Sequence, residues 1–259
     1  MKTRLNLFNL TLLFLCFSLQ ISAQVFERVE AISGLDLTEQ NNGVAVADYN
    51  GDHVMDLFVV AKAIDKNGEE YTHSKLYRNN NDGSFTDVTE VSGLTNLLIE
   101  DYSIDANFYV FDGFKIGAFW GDFDNDGFPD LFITNTFNVL LYRNLGDGTF
   151  QDVTSIAGFN VPTSCQFTGA TWFDFNNDGF DDLLVTNGDN RDTSTIEKPY
   201  HGVRIYLNDG KNNFEQAYFY PMYECSKAMA RDFDNDGDLD IVAASFYNGY
   251  SDLKNTKES

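Results

Sequence analysis

Histidine is scarce in this chain, with 3 in 259 residues, and cysteine equally so, with 3. Zinc favours nitrogen and sulfur ligands, so this supply makes a zinc centre a poor fit. His53 falls inside an acidic stretch, while His73 and His201 sit in separate long loops. No pair of histidines is therefore set for acid–base work, and neither Gly-x-Ser-x-Gly nor His-Glu-x-x-His occurs. Positive charge is also in short supply. Lys and Arg total 17 against 40 Asp and Glu, a formal charge of −23 that repels phosphate backbones and anionic lipid and argues against nucleic acid as a partner. Beyond residue 23 no apolar run is long enough to span a membrane.

What is present suits a folded extracellular protein. The chain is 43% hydrophobic and 15% aromatic, enough to build a core. Lys2 and Arg4, an apolar stretch from Leu5 to Leu19, and Ile21-Ser22-Ala23 read as a secretory signal peptide over 1–23, with Gln24 as the mature N-terminus. A retained anchor fits less well, because the run is short and followed by small residues. The expected location is secreted, cell-surface or periplasmic, with no stable membrane insertion after cleavage. Cys16 is preceded by Leu13-Phe-Leu15 rather than a lipoprotein pattern and leaves with the leader, as do Lys2 and Arg4, which takes the mature charge to −25. Cys165 and Cys225 remain, each a few residues ahead of an acidic loop. They can bridge neighbouring units or stand as separate thiols.

Aligned on itself, the chain yields four acidic nonapeptides: Asp48-Tyr-Asn-Gly-Asp-His-Val-Met-Asp56, Asp122-Phe-Asp-Asn-Asp-Gly-Phe-Pro-Asp130, Asp174-Phe-Asn-Asn-Asp-Gly-Phe-Asp-Asp182 and Asp232-Phe-Asp-Asn-Asp-Gly-Asp-Leu-Asp240. Their starts are 74, 52 and 58 residues apart, which marks repeated units with loops of variable length. Each is followed by a β-rich apolar run (Leu57–Val60, Leu131–Thr134, Leu183–Thr186, Ile241–Ala244) and preceded by small and apolar residues. A second hairpin recurs downstream, from Leu76-Tyr-Arg-Asn79 to Phe85, from Leu141-Tyr-Arg-Asn144 to Phe150, and more loosely from Ile205-Tyr-Leu-Asn208 to Phe214.

Four strands per unit, A to D, predict an all-β protein of antiparallel blades, and radial packing of blades hides their edges. A β-propeller is favoured over a parallel solenoid, because Val25–Val29 with Ser33-Gly-Leu35 repeats the D strand and exit of Phe85–Leu94 with no blade before it. Over 24–259 the expected blades are about 44–89, 116–154, 168–220 and an incomplete 227–259. The fourth lacks a Leu-Tyr-Arg-Asn equivalent, which predicts a fragment of a longer chain or a disordered end.

Oxygens at positions 1, 3, 5 and 9 of such a loop, with the carbonyl at 7, can converge on one hard cation, and calcium tolerates the irregular geometry best. The expected ligands are Asp48, Asn50, Asp52 and Asp56; Asp122, Asp124, Asp126, Phe128 and Asp130; Asp174, Asn176, Asp178, Phe180 and Asp182; and Asp232, Asp234, Asp236, Asp238 and Asp240. An EF-hand is excluded, because position 12 is Val59, Ile133, Val185 or Ala243 in place of Glu and strands follow instead of helices. The loops hold 14 carboxylates at these positions, whose mutual repulsion calls for cations. About four Ca²⁺ would bring the mature charge to −17. The first loop departs from the pattern: His53 stands where the others have glycine, with Gly51 two places earlier as a compensation.

These loops between strands, with their Tyr-Arg-Asn to Gly-x-Phe hairpins, resemble the FG-GAP/VCBS repeats of integrin α-subunit propellers and of many secreted bacterial proteins. The resemblance covers nearly all of the mature chain. It implies a propeller of seven blades, calcium bound between strands A and B, and a role in adhesion or ligand binding. The blade count, about half of seven, departs from the family.

If the acidic A–B loops and the C–D turns share one face, the long loops 61–74, 95–114 and 187–202 share the other, offering Tyr102, Phe108, Tyr109, Arg191, Tyr200 and His201 to an extracellular protein or glycan. The alternatives are loops that pack on one another, a calcium-dependent polysaccharide-active enzyme resembling a lyase, and a structural spacer of a larger surface protein. No catalytic constellation supports the enzyme, and the expectation is a binder.

Overall fold

In the computed structural model the described residues are 33–35, 41–61, 74–94, 115–135, 138–161, 166–188, 201–222 and 225–245. The proposed signal peptide, Cys16, Cys165 and the strand expected at 25–29 lie outside them.

Fourteen strands form among these residues, each where the apolar runs alternate with turn residues. The first sheet joins β1 (Asn41–Ala47), β2 (Asp56–Ala61), β3 (Lys75–Asn79) and β4 (Phe85–Asp87). The second joins β5 (Lys115–Gly121), β6 (Asp130–Asn135), β7 (Val139–Asn144) and β8 (Phe150–Asp152). The third joins β9 (Gln166–Phe173), β10 (Asp182–Gly188), β11 (Gly202–Asn208) and β12 (Phe214–Pro221). The fourth pairs β13 (Cys225–Arg231) with β14 (Asp240–Ser245).

Within each sheet the strand order follows the chain and every pairing is antiparallel, so each sheet is a meander, as expected of a blade. Three are complete, and among the described residues the fourth has its A and B strands alone. It begins at Cys225, two residues ahead of the expected start, because the pairing of Cys225 with Ser245 extends the ladder across a bulge.

The innermost strands lie side by side in turn: β1 packs on β5, β5 on β9 and β9 on β13. That places the A strands around a common axis in an open arc, with the D strands outermost. A core layer fills each junction. Ala45, Phe58, Val60 and Leu76 of the first blade meet Leu131, Ile133, Tyr142 and Trp120 of the second. Phe132, Val139 and Leu141 of the second meet Leu183, Val185, Tyr206 and Trp172 of the third. The third junction is thinner, with Leu184, Val203 and Ile205 against Cys225 and Ala228.

Burying a side chain the size of Phe58 or Phe132 contributes about 1.5–3 kcal/mol, so these interblade layers are the main source of cohesion. The fit is close. A Cβ on Gly121 would stand 2.5 Å from the ring of Trp172, so only glycine lets that indole lie over the strand. The exit turns also dock outward. Phe150 N donates to Ser92 O at 2.9 Å and Phe214 N to Ala157 O at 2.7 Å, each tying one blade's exit to the next blade's D strand. Gly34 sits against Phe85 O in the same manner, a repeat of the exit that Ser33-Gly34-Leu35 shows in sequence.

Candidate metal centre

Each acidic loop joins an A strand to a B strand, and all four are wired alike. In the second, Asp122 accepts hydrogen bonds from Asp126 N at 3.0 Å and Gly127 N at 2.9 Å, and Asp126 accepts from Phe128 N at 3.0 Å. The third repeats this with Asp174 accepting from Asp178 N and Gly179 N, Asn176 from Asp178 N, and Asp178 from Phe180 N. In the first, Asp48 accepts from Gly51, Asp52 and His53, Asn50 from Asp52, and Asp52 from Val54. In the fourth, Asp232 accepts from Asn235 and Gly237, Asp234 from Asp236, and Asp236 from Asp238. Amide hydrogens thus fold the loop around its own carboxylates, a turn chemistry for which Asp and Asn are suited.

Two backbone positions in every loop are left-handed. The fourth is Gly51, Asn125, Asn177 or Asn235, and the sixth is His53, Gly127, Gly179 or Gly237. Gly51 therefore does not relieve His53 of the turn, contrary to the sequence expectation. It fills the place that asparagine takes elsewhere, and His53 itself adopts φ 67°. A non-glycine side chain there costs on the order of 1 kcal/mol.

The ninth position does more than the sequence suggests. Asp130 is buried, its Oδ2 accepting from Phe123 N at 3.0 Å and its Oδ1 from Asn144 N at 2.7 Å. Asp182 likewise accepts from Phe175 N and Asn208 N, both at 2.8 Å, Asp56 from Asn79 N at 2.8 Å, and Asp240 from Phe233 N at 2.9 Å. This carboxylate pins the acidic loop to the end of strand C, which puts the A–B loops and C–D turns on one face, as strand parity requires.

The asparagine closing strand C is the residue whose role the sequence left unread. Asn144 Nδ2 donates to Pro129 O within its blade and to Tyr49 O of the preceding blade at 2.8 Å. Asn208 Nδ2 donates to Asp181 O and, across the junction, to Phe123 O at 2.6 Å. Its recurrence as Asn79, Asn144 and Asn208 was the available signal.

Carboxylate oxygens of Asp122, Asp124 and Asp130 all lie within 4.8 Å of one another, and those of Asp232, Asp234 and Asp240 do the same. Positions 1, 3 and 9 are thereby brought together in the second and fourth loops, while Asp126 and Asp236 at position 5 stand outside these groups. In the first and third loops position 3 is Asn50 or Asn176, so the donor set there has one carboxylate fewer. Phe128, Phe180 and Asp238 occupy position 7, and the Phe128 ring stands against Gly146 of the C–D turn as Phe180 does against Gly210.

The second loop is the most strongly charged for its depth. The Asp124 side chain retains 9% exposure, and its two oxygens lack a well-formed hydrogen bond. Facing them is the guanidinium of Arg143, with Nε 2.5 Å from Oδ2. One cation against four carboxylates leaves a net deficit of positive charge. Burial, reinforced by the charge of Asp126 and opposed by Arg143, raises the pKa of Asp124. Burial also pushes Asp130 up to about 8, despite its two amide donors. Asp56 is pushed up to about 6 and Asp182 upward, in both cases chiefly by burial. An all-oxygen cluster whose desolvated carboxylates outnumber the one cation beside them is a donor set that fits a hard divalent cation.

On the opposite face, His201 is buried and does not face solvent, contrary to its expected place among the recognition residues. Tyr102, Phe108, Tyr109, Arg191 and Tyr200 lie outside the described residues. Cys225 is a free, buried thiol. No helix among the described residues is long and apolar enough to cross a membrane.

Comparison with known proteins follows the same repeat. No curated protein matches the chain. Among solved structures, a lectin from Agrocybe aegerita, described as recognising non-reducing terminal N-acetylglucosamine, matches at 17% identity and a TM-score of 0.38, over 82% of this chain and 61% of its own. This chain thus spans less than two thirds of that protein's length. The family model for the FG-GAP-like repeat matches residues 122–185, from the first aspartate of the second acidic loop through that of the third and into β10. Residues 122–185 of this chain are thus similar to an FG-GAP-like repeat.

Proposed function

We propose that the chain is a secreted, calcium-stiffened repeat module that binds an extracellular protein or glycan and carries out no catalysis. The observation supporting this most directly is the convergence of Asp122, Asp124 and Asp130 around desolvated oxygens. Calcium would be held by positions 1, 3, 5 and 9 with the carbonyl of position 7, in about four sites. It would supply the positive charge that the loops lack. Because position 9 is already bonded to strand C, an ion there would join loop, B strand and C strand into one rigid end of the blade.

The long segments 61–74, 95–114 and 187–202 join strand ends on the face away from the acidic loops, so ligand contact is assigned to them. Export is assigned to residues 1–23, and an exported protein whose first residue is Gln24 would support it. The function is tested by glycan-array and protein-capture binding of the calcium-loaded chain, before and after Tyr109→Ala and Tyr200→Ala. Binding lost in the variants, with melting unchanged, supports the assignment. Binding that survives both removes it from this face, and release of unsaturated sugar products would replace the binder with a lyase.

A further inference from the structure

The two ends of the described arc expose positions that are buried at the junctions between blades. Counting back from the first aspartate of each loop, the residues two and four places earlier face the preceding blade. They are Trp120 and Ala118 in the second blade, and Trp172 and Ala170 in the third, all placed within the junction cores. In the first blade the same places are Val46 and Val44, which are 53% and 60% exposed. The residue three places earlier, and the second residue of the B strand after the ninth-position aspartate, face the following blade. These are Ala45 and Phe58 in the first blade, and Phe119 and Phe132 in the second. In the fourth they are Met229 and Val242, 45% and 51% exposed.

Smaller features agree. Tyr49 packs against Phe150 at 5.9 Å and Phe123 meets Phe214 at 5.8 Å, each a loop aromatic on the next blade's D strand. The corresponding pair is Phe233, which is exposed, and Phe85, which is only half-buried although Phe150 and Phe214 are buried. The asparagine clamp is likewise split. Asn79 Nδ2 makes its within-blade bond to Met55 O at 3.0 Å, and the acceptor corresponding to Tyr49 O and Phe123 O would be the carbonyl of Phe233.

We propose that two copies of this chain associate head to tail, the fourth blade of one seated on the first blade of the next. Met229 and Val242 would meet Val44 and Val46, Phe233 would meet Phe85, and Asn79 would complete its clamp. The side-chain sizes suit this: two valines facing a methionine and a valine replace the tryptophan against phenylalanine of the first two junctions. A head-to-tail contact closes into a ring if its rotation allows and otherwise continues as an open chain. The acidic charge opposes association at long range, so calcium and moderate salt favour it.

Sedimentation velocity of the purified chain in calcium, over about a hundredfold range of concentration, tests this. The expected result is a mass of at least a dimer that rises with concentration. Val46→Asp and Met229→Asp, both at exposed sites and so compatible with folding, should each yield monomers with a near-native melting curve. An equimolar mixture of the two should regain a dimer and nothing larger, because only one intact pair of faces remains. Should either variant fail to fold, Val44→Asp or Val242→Asp replaces it in the mixture. A monomer at every concentration, which is the outcome if a further blade of a longer chain covers these faces, overturns the proposal. So does association that survives both substitutions, or a mixture that stays monomeric.

Discussion

The second and fourth acidic loops begin with the same six residues, Asp-Phe-Asp-Asn-Asp-Gly, and bring the same three carboxylates within 4.8 Å, yet they sit in different surroundings. Around 122–130 there is a C strand to bond Asp130, an arginine against Asp124, and a following blade over Phe123. Around 232–240 none of these is present among the described residues, and Asp234 and Phe233 are exposed. The donors are local to the nonapeptide, whereas the desolvation that makes a cation valuable comes from strands and blades elsewhere in the chain. The second loop should therefore be the tighter site and the more costly one to leave empty.

The largest effect should follow removal of calcium. Each site held at about a hundred times its dissociation constant contributes about 2.7 kcal/mol, so stripping several sites should lower the melting temperature by roughly 10 °C or more. Differential scanning calorimetry with and without EDTA measures this.

Asp130→Ala comes next. It leaves two amides without their acceptor as well as removing a proposed ligand, and should cost about 3 kcal/mol in urea unfolding. Asp240→Ala, with one such amide at a more exposed site, should cost clearly less. Equal costs would break the comparison between the loops.

The metal-free protein should also respond to pH in an unusual direction. A carboxyl whose pKa is raised on folding stabilises the fold below its unfolded value and loses that contribution as pH rises. For Asp130 the window runs from 3.8 to about 8, and for Asp56 from 3.8 to about 6. Stability in EDTA should fall across it, and saturating calcium should flatten or reverse the slope.

Asn208→Ala removes the bond to Phe123 O across a junction and should cost about 1–2 kcal/mol. Asn79→Ala, which makes no cross-blade bond among the described residues, should cost less in a monomer. The smallest effect is a gain: His53→Gly should stabilise by about 1 kcal/mol, because glycine adopts φ 67° without strain.

Much of this was legible in the sequence because the repeat imposes local rules. Acidic nonapeptides between β-rich runs identify the A–B hairpins, and Leu-Tyr-Arg-Asn to Phe identifies the C–D hairpins, so the sheets follow, with their first strands beginning one to three residues ahead of the expected starts, at Asn41, Lys115, Gln166 and Cys225. Less visible were the roles set by long-range contact. That Asp130 is bonded to strand C depends on an amide 14 residues away, and the Asn144 bond to Tyr49 spans 95. His201 reads as a loop residue from its neighbours, but its burial depends on the packing around it. The compensation expected of Gly51 failed for a different reason, since two left-handed demands two residues apart cannot be told from one without backbone angles.

Calorimetric titration of the EDTA-stripped chain with calcium, beside the same titration of Asp124→Ala, bears most directly on the central claim. The account predicts saturable uptake by the wild-type chain and loss of the tightest site in the variant. No uptake by the wild-type chain, or identical curves for the two proteins, would contradict it.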